Sequence, residues 1–528
     1  MRGHKRGNYL EKKKVIKKTI AFGMATLASR LLGYVRELLL FTYYLGPGLL
    51  SDAFATAYRL PNSLRKVFAE GAFSASLTPA LVHAQRTSSR SAINSLMFLA
   101  LLFFEGIVLI VALFSMLFAK HIVYVLSPGF SEQKIAQTIP MLRILMPLLL
   151  LISTSALFAS VLQSINHFFI PAIAPVLFNI IFISSIGMCM VKGWSTEYFC
   201  YLILIGGIAQ LVLHIVAYFR FRFSFEKITC HTWNQFLPII KKFLFCFVSA
   251  GLGEIGLIVD SQFSSFLKDG SMTLLQCATR YVGLPLGIFA TAFATIMLPQ
   301  LSRISSYAPK RLNFFLLEIA KLVVWVMIPA TILIVFFSEK IFYTLHLSSK
   351  FNVEQAFEAS SILSAYAYGI FALSLNKMLL NIFYARHITW IPAVISVVAT
   401  AFNIGLNFVL MQYWQAAGIA AATTITATLQ MFLLLFFLYK YCGYCIHPQR
   451  FISFIVRYSV QLLIIGVPFY ALYRLILYAI SIYKTAIANF FLNSFGFWLW
   501  VGPLCAIAAL LLFFTRKWFK ITFYFLDE

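Results

Sequence analysis

Eight ionisable side chains stand in an otherwise apolar run near the start of the chain. Residues 29–74 read SRLLGYVRELLLFTYYLGPGLLSDAFATAYRLPNSLRKVFAEGAFS and carry Arg30, Arg36, Glu37, Asp52, Arg59, Arg65, Lys66 and Glu70. A charge held near a bilayer centre costs at least about 2.5–3.5 kcal/mol on insertion scales. Such a cluster makes sense where the side chains face a watery cavity inside a helix bundle. With cations outnumbering acids, that cavity is suited to an anion. Asp52, Arg59 and Lys66 recur every seventh residue, with Glu70 four beyond Lys66, so they share one stripe of a helix. Arg30 and Arg36 are about 120° apart on an ideal helix, a gap that a bend at Gly33 would narrow. Pro61 interrupts the second helix, which is tolerable only where protein or water satisfies the freed backbone groups.

Two readings of the arginines are open at this stage. Arg30, Arg36, Arg65 and Arg280 either lock helices together by pairing with Glu37, Asp52 and Glu70, or bind an anion. Arg59 fits a cavity contact and a snorkelling cation equally. Lys377 stands mid-span beside Asn376 and Asn381 and reads as facing a cavity. Glu105 and Glu318 are isolated intramembrane acids, with a hydrogen bond inside the bundle as the default and proton coupling as the alternative. Pro171, Pro175 and Pro285, the last flanked by Gly283 and Gly287, are either hinges or static kinks.

These residues sit in a chain built for the bilayer. Its 528 residues are 61% hydrophobic and 11% charged, with a mean hydropathy of +0.87. A soluble protein carries about 25% charged residues. The chain therefore reads as an all-α polytopic membrane protein. The 55 Phe read as lipid-facing and interfacial bulk. The net charge of +25 does not point to nucleic acid, because the basic residues fall mainly in short loops between apolar spans. The eight Cys imply no disulfide framework, and Cys442, Cys445 and His447 make only half of a zinc site.

About fourteen spans follow a basic tail over residues 1–19. They lie near 20–45, 51–82, 93–118, 136–162, 170–191, 198–220, 238–267, 272–301, 312–337, 356–384, 389–412, 415–440, 451–478 and 490–515. With both termini in the cytoplasm, the inner segments hold roughly 24 Lys/Arg and the outer ones roughly six. The spans group as an N-terminal lobe over 20–222, a C-terminal lobe over 223–445 and two further helices over 446–528. The tail would touch anionic membrane lipid. No GxxxxGK[ST] is present, so energy for transport would come from the membrane potential or an ion gradient. A drug exporter would want an acidic cavity; a membrane-embedded transferase would want clustered carboxylates or a His-based site; a scaffold would need no intramembrane arginines.

Several stretches also resemble a known family. SRLLGYVRE, SDAFATAYRLPNSLRKVFAEGAFSASLTP, SPGF at 127–130, LQSINHFFIPAIAPVLFNI at 162–180 and TIMLPQLS at 295–302 are similar to the MurJ (MviN) family, lipid II flippases of the multidrug/oligosaccharidyl-lipid/polysaccharide exporter superfamily. The resemblance implies two lobes in an inverted V and a central cationic cavity for the head group of an undecaprenyl-diphosphate-linked precursor. It implies a groove by the last two helices for the lipid tail, and alternating access from the inner to the outer leaflet of the bacterial cytoplasmic membrane. Cell-wall synthases are possible partners, with no resident cofactor. Family-essential positions correspond to Arg30, Arg36, Asp52, Arg65 and Glu70; Arg280 matches the arginine of span eight, and Lys377 a cavity lysine of span ten. Thr279 stands where the family commonly has an acid. Some members bind a monovalent cation; Asp260, Asn403, Asn407 and Thr423 are the counterparts here, with Asn407 in place of an expected acid.

Overall fold

A backbone inside lipid has no water to bond, so long apolar segments must satisfy their own N–H and C=O groups, and the helix does this within one segment. The computed structural model follows that rule. It describes residues 24–87, 89–165, 167–307, 311–386, 388, 390–443, 447–482 and 486–524. The tail over 1–19 and Cys445 lie outside them, as does the side chain of Cys442. Helix α1 covers 24–38 and runs into a π-helical stretch, Leu39–Tyr44. Helix α2, Leu49–Arg65, continues as a π-helix over Lys66–Phe73 and then as α3, Ser74–Thr87. There follow α4 (Arg90–Leu117), α5 (Ala119–Leu126), α6 (Glu132–Leu145), α7 (Pro147–Ser164), α8 (Phe169–Lys192), α9 (Thr196–Arg220) and α10 (Cys230–Ser264). Helix α11, Ser271–Pro285, passes through a π-helix at Leu286–Thr291 into α12, Ala292–Tyr307. The remainder is α13 (Leu312–Leu345), α14 (Val353–Ala367), α15 (Ile370–Ala385), α16 (Trp390–Cys442), α17 (Pro448–Ile482), α18 (Ala486–Asn493) and α19 (Gly496–Thr515).

Among the described residues, 10 helical stretches are long and apolar enough to cross a membrane. One of them, Trp390–Tyr441, is too long for a single crossing. Gln415 breaks it with φ 50°, and Gly418 sits against the Leu410 carbonyl, so the chain folds back there.

The chain packs as two compact units, Met1–Thr273 and Leu274–Glu528. This boundary differs from the sequence-based division after residue 222, and the reason is the packing of α10. Its Phe243 meets Phe68, Phe73 and Phe104, so α10 is built into the first unit. The last two long helices, read from sequence as a separate pair, belong to the second unit. Many of the Phe are also not lipid-facing: Phe41, Phe54, Phe73, Phe104, Phe182, Phe199 and Phe236 are fully buried in the first unit.

The loops of the first unit sort into two sets, as helices crossing back and forth require. In one set, Gly129 donates to Ser265 Oγ at 2.9 Å, and Gly270, at φ +94°, lies against Pro47 and Gly48. In the other, Asn94 donates to Glu226 Oε1 at 2.7 Å and Ser95 to the Lys227 carbonyl at 2.9 Å. The first set joins the turn after α1 to those after α5 and α10; the second joins α4 to the turn after α9. In the second unit, α13 packs on α14 and α15, α16 on α14 and α15, and α17 on α13 and α19.

The two long interrupted helices carry the same pattern. One sequence offset separates both Lys66 from Leu286, where each π-helix begins, and Pro79 from Pro299. A π-helix leaves backbone groups out of the regular ladder and is frequent at functional sites.

Candidate functional site

Helix α2 places the charged stripe, and its two ends differ. At the start, Asp52 is 1% exposed. It accepts from Lys134 Nζ at 2.8 Å, Gly270 N at 2.8 Å, Thr273 N at 3.0 Å and Thr273 Oγ1 at 2.7 Å. Lys134, 3% exposed, also reaches Asp269 Oδ1 at 2.9 Å and lies 4.2 Å from the Phe130 ring centroid. Asp52 therefore joins the beginnings of α2, α6 and α11, and its cation is Lys134 rather than one of the arginines offered as its partners. Sequence reasoning missed Lys134 because it follows SPGF, in what reads as an ordinary loop. The signal was there: Ser131 caps α6 by accepting from Lys134 N at 3.4 Å, which puts the lysine in the first helical turn.

Four turns on, the stripe opens. Arg59 and Arg65 are half-buried, and Arg65 donates to Asn62 Oδ1 through Nε at 3.3 Å and Nη2 at 3.1 Å. The Lys66 side chain is 36% exposed and meets Glu254 of α10 at 3.2 Å. Ser63 donates to the other Glu254 oxygen at 3.0 Å. Glu254 thus faces this end of α2. Glu70 lies on the π-helix Lys66–Phe73, and its side chain is outside the described residues.

On α1, Arg30 is exposed. Arg36 is held on three sides: Nη1 donates to Asn179 Oδ1 at 2.9 Å, Nη2 to Glu37 Oε1 at 3.1 Å, and the guanidinium carbon stands 4.7 Å from the Phe182 ring centroid. Asn179 is fixed in turn by donating to the Ser29 carbonyl at 3.0 Å. Arg36 is thus built into the packing of α1 on α8, while its Nε–H has no hydrogen-bond acceptor among the described residues.

In the second unit, Arg280 is exposed on α11, ahead of the π-helix. The neighbouring Thr279 hydroxyl donates to the Gln276 carbonyl at 2.9 Å, so this position brings Arg280 a neutral, engaged neighbour in place of a carboxylate. Lys377 of α15 donates to Thr291 Oγ1 at 2.8 Å, and Asn381 to the Ala294 carbonyl at 2.7 Å, so both meet the distorted end of the same helix. Asn376 instead donates to the Ala427 carbonyl at 2.8 Å.

The four residues matched to a cation site divide between the units. Asp260 lies in the first, Asn403, Asn407 and Thr423 in the second. Asn407 Nδ2 donates to Asn403 Oδ1 at 3.1 Å, and Thr423 donates to the Ile419 carbonyl at 3.1 Å. From these residues the second unit therefore offers only neutral oxygens, one of them already engaged. The isolated acids are engaged as well: Glu105 accepts from Ser153 at 2.9 Å, and Glu318 holds Lys321 and the Tyr524 backbone N–H.

Bilayer-length helices, interrupted at matching places in two units and lined with cations, define a polytopic membrane transporter. The fold agrees with that of a solved lipid II flippase MurJ in an inward closed conformation, with TM-score 0.75 and 24% identity over 95% of this chain and 99% of that one. It also agrees with an inward-facing multidrug resistance MATE transporter of the MOP superfamily, at TM-score 0.67 and 12% identity over 79% of this chain and 94% of that one. The profile of the family "Lipid II flippase MurJ" matches residues 41–514. A probable lipid II flippase MurJ of Rhizobium tropici is 30% identical over 81% of both chains. One from Buchnera aphidicola subsp. Acyrthosiphon pisum is 28% identical over 91% of this chain and 95% of its own. The chain belongs to the MurJ lipid II flippase family.

Proposed function

We infer that this protein is a flippase for lipid II, the undecaprenyl-diphosphate-linked precursor of peptidoglycan, in the bacterial cytoplasmic membrane. The observation that carries the site assignment is a difference in exposure. Arg30, Arg59, Arg65 and Lys66 keep accessible surface, whereas Asp52 is tied to Lys134. Accessible guanidinium groups on membrane helices bind a diphosphate through paired N–H donors, and their cost of burial falls when the anion arrives. Arg280 and Lys377 supply further cations from the second unit.

Transfer from the inner to the outer leaflet follows if the head group binds differently in inward- and outward-facing states. In this reading the chain has fourteen spans with both termini in the cytoplasm, and each π-helix marks where a helix bends as the units alternate. No nucleotide motif is present, so the membrane potential or an ion gradient drives the cycle; one charge crossing 100 mV is worth about 2.3 kcal/mol. A monovalent cation at Asp260, Asn403, Asn407 and Thr423 would rely on Asp260 for all of its negative charge. Sodium dependence of transport, lost in Asp260→Asn, tests that reading.

Complementation tests the whole. Cells depleted of their own lipid II flippase should grow when supplied with this chain, and should not grow with Arg65→Ala or Arg280→Ala present in the membrane at equal amount. Full rescue by both variants would remove these arginines from the substrate path.

A further inference from the structure

A second basic cluster stands in the second unit, apart from the cations assigned to the lipid II head group. The start of α17, Lys321 of α13 and the segment after α19 enclose a cavity of about 350 Å³. Its cations are Lys321, Arg450, Arg457 and Lys520, joined by Ser453 and Thr522. Among the described residues, only Lys321 of these four is held by an acid, Glu318. Within that set the cavity therefore presents three uncompensated cations.

Its base is rigid. Phe454, Tyr458, Leu512, Ile521 and Phe523 pack with Leu322 and Val324 in one buried cluster. Tyr458 donates to the Trp325 carbonyl at 2.7 Å and Gln461 to the Leu512 carbonyl at 2.8 Å, so α17 is bonded to both α13 and α19. Buried Arg516 lies 4.7 Å from the Phe513 ring centroid and 5.8 Å from that of Phe523.

The segment that carries Lys520 ends in a defined turn. After α19 the chain makes one more turn, closed by Ile521 N donating to the Arg516 carbonyl at 2.9 Å. This six-to-one bond is a helix-ending motif whose penultimate residue is left-handed and usually glycine. Here that residue is Lys520, with φ 54°. Glycine suits that conformation better than a side chain does, so Lys520→Gly removes the ammonium group without straining the backbone. Chain positions next to the lining residues are also suited to lipid: Trp518 is 81% exposed and Ile452 60%, apolar surface close in sequence to the charges.

We propose that this cavity binds the phosphate of a membrane phospholipid head group, with Arg450, Arg457 and Lys520 as its donors. Clustered cations at the ends of bilayer-length helices, with exposed apolar side chains close in sequence, are the features of a lipid head-group site. The site is separate from the residues assigned to lipid II, so it stands or falls apart from the transport reading.

The test uses the full chain purified in neutral detergent micelles. Unfolding temperature is followed while dioleoyl phosphatidylglycerol, dioleoyl phosphatidylcholine or inorganic phosphate is titrated in. Phosphatidylglycerol should raise the unfolding temperature and saturate, and the other two should not. Arg450→Gln with Arg457→Gln should raise the half-saturating phosphatidylglycerol by about tenfold. Lys520→Gly suits the left-handed backbone, so it should unfold no lower than the parent while binding about threefold more weakly. Arg222→Gln, an exposed cation of the first unit, should respond as the parent does. Equal stabilisation by both lipids overturns the proposal, as does a parental response from Lys520→Gly. Saturation by inorganic phosphate alone would make this a free-anion site and overturn the lipid assignment.

Discussion

The two ends of α2 put charge to opposite uses. At one end Asp52 and Lys134 are sealed in protein, each with its polar atoms engaged, and three helix beginnings are joined through them. At the other, Arg59, Arg65 and Lys66 keep accessible surface beside one well-placed acid, Glu254. Both ends break the same rule against charge in a membrane helix. The buried end is a clamp, since a buried ion pair is costly to leave half-made. The accessible end is a lining, since a half-exposed cation can exchange one partner for another. A charged residue in a membrane helix is therefore diagnostic only once its exposure is known.

Substitutions at each end put that contrast at risk. The largest effect on stability belongs to the clamp: Lys134→Ala should cost about 3–5 kcal/mol, because it strands the buried Asp52 carboxylate, and Asp52→Ala somewhat less, because Lys134 keeps Asp269. The check is the unfolding temperature of the purified protein. Removing both charges, as Asp52→Asn with Lys134→Met, should cost clearly less than the sum of the single losses. Gly129→Ala comes next, at about 1–3 kcal/mol. A Cβ there would meet the Ser265 carbonyl at 2.6 Å and Phe266 N at 2.7 Å, both backbone atoms that cannot swing aside. At the lining, Lys66→Ala should change stability by no more than about 1 kcal/mol, since an exposed pair contributes little. If it unfolds as readily as Asp52→Ala, the two ends are not different in kind.

The smallest effect lies at the opposite set of loops. Ser91, then Asn94, hold the Glu226 carboxylate below its ordinary range by donating to it. The folded value is the lower one, so this contribution is present above the unfolded value and lost as pH falls through the folded one. Amide protection factors over residues 221–227, taken relative to the intrinsic rate at each pH, should therefore fall on acidification into that range. Glu226→Gln should flatten the response.

Much of this was legible in the residues. Apolar length and the sparing use of charge pointed to a helical membrane bundle, and a chain that crosses repeatedly must have loops in two sets. The division between units was not legible, because it depends on which face α10 buries, and its Phe residues read as lipid-facing bulk. Nor was the partner of Asp52. Heptad spacing puts Asp52 on the stripe of Arg59 and Lys66, but spacing within one helix says nothing about a lysine arriving from another. Arg36 shows the same limit, since its contacts with Asn179 and Phe182 come from α8. The π-helices were half visible: Pro285 and the glycines around it marked one, whereas the stretch after Lys66 carries only Gly71.

If accessible cations, and not buried ones, meet the diphosphate, the affinity of purified protein for lipid II should separate the two ends of α2. The decisive comparison sets Arg65→Ala, and Asp52→Asn with Lys134→Met, against the parent. Arg65→Ala should bind about tenfold more weakly at an unchanged unfolding temperature, while the double variant, kept below its own unfolding temperature, should bind within about threefold of the parent. Parental affinity in Arg65→Ala, with binding lost in the double variant, would reverse the assignment of lining and clamp.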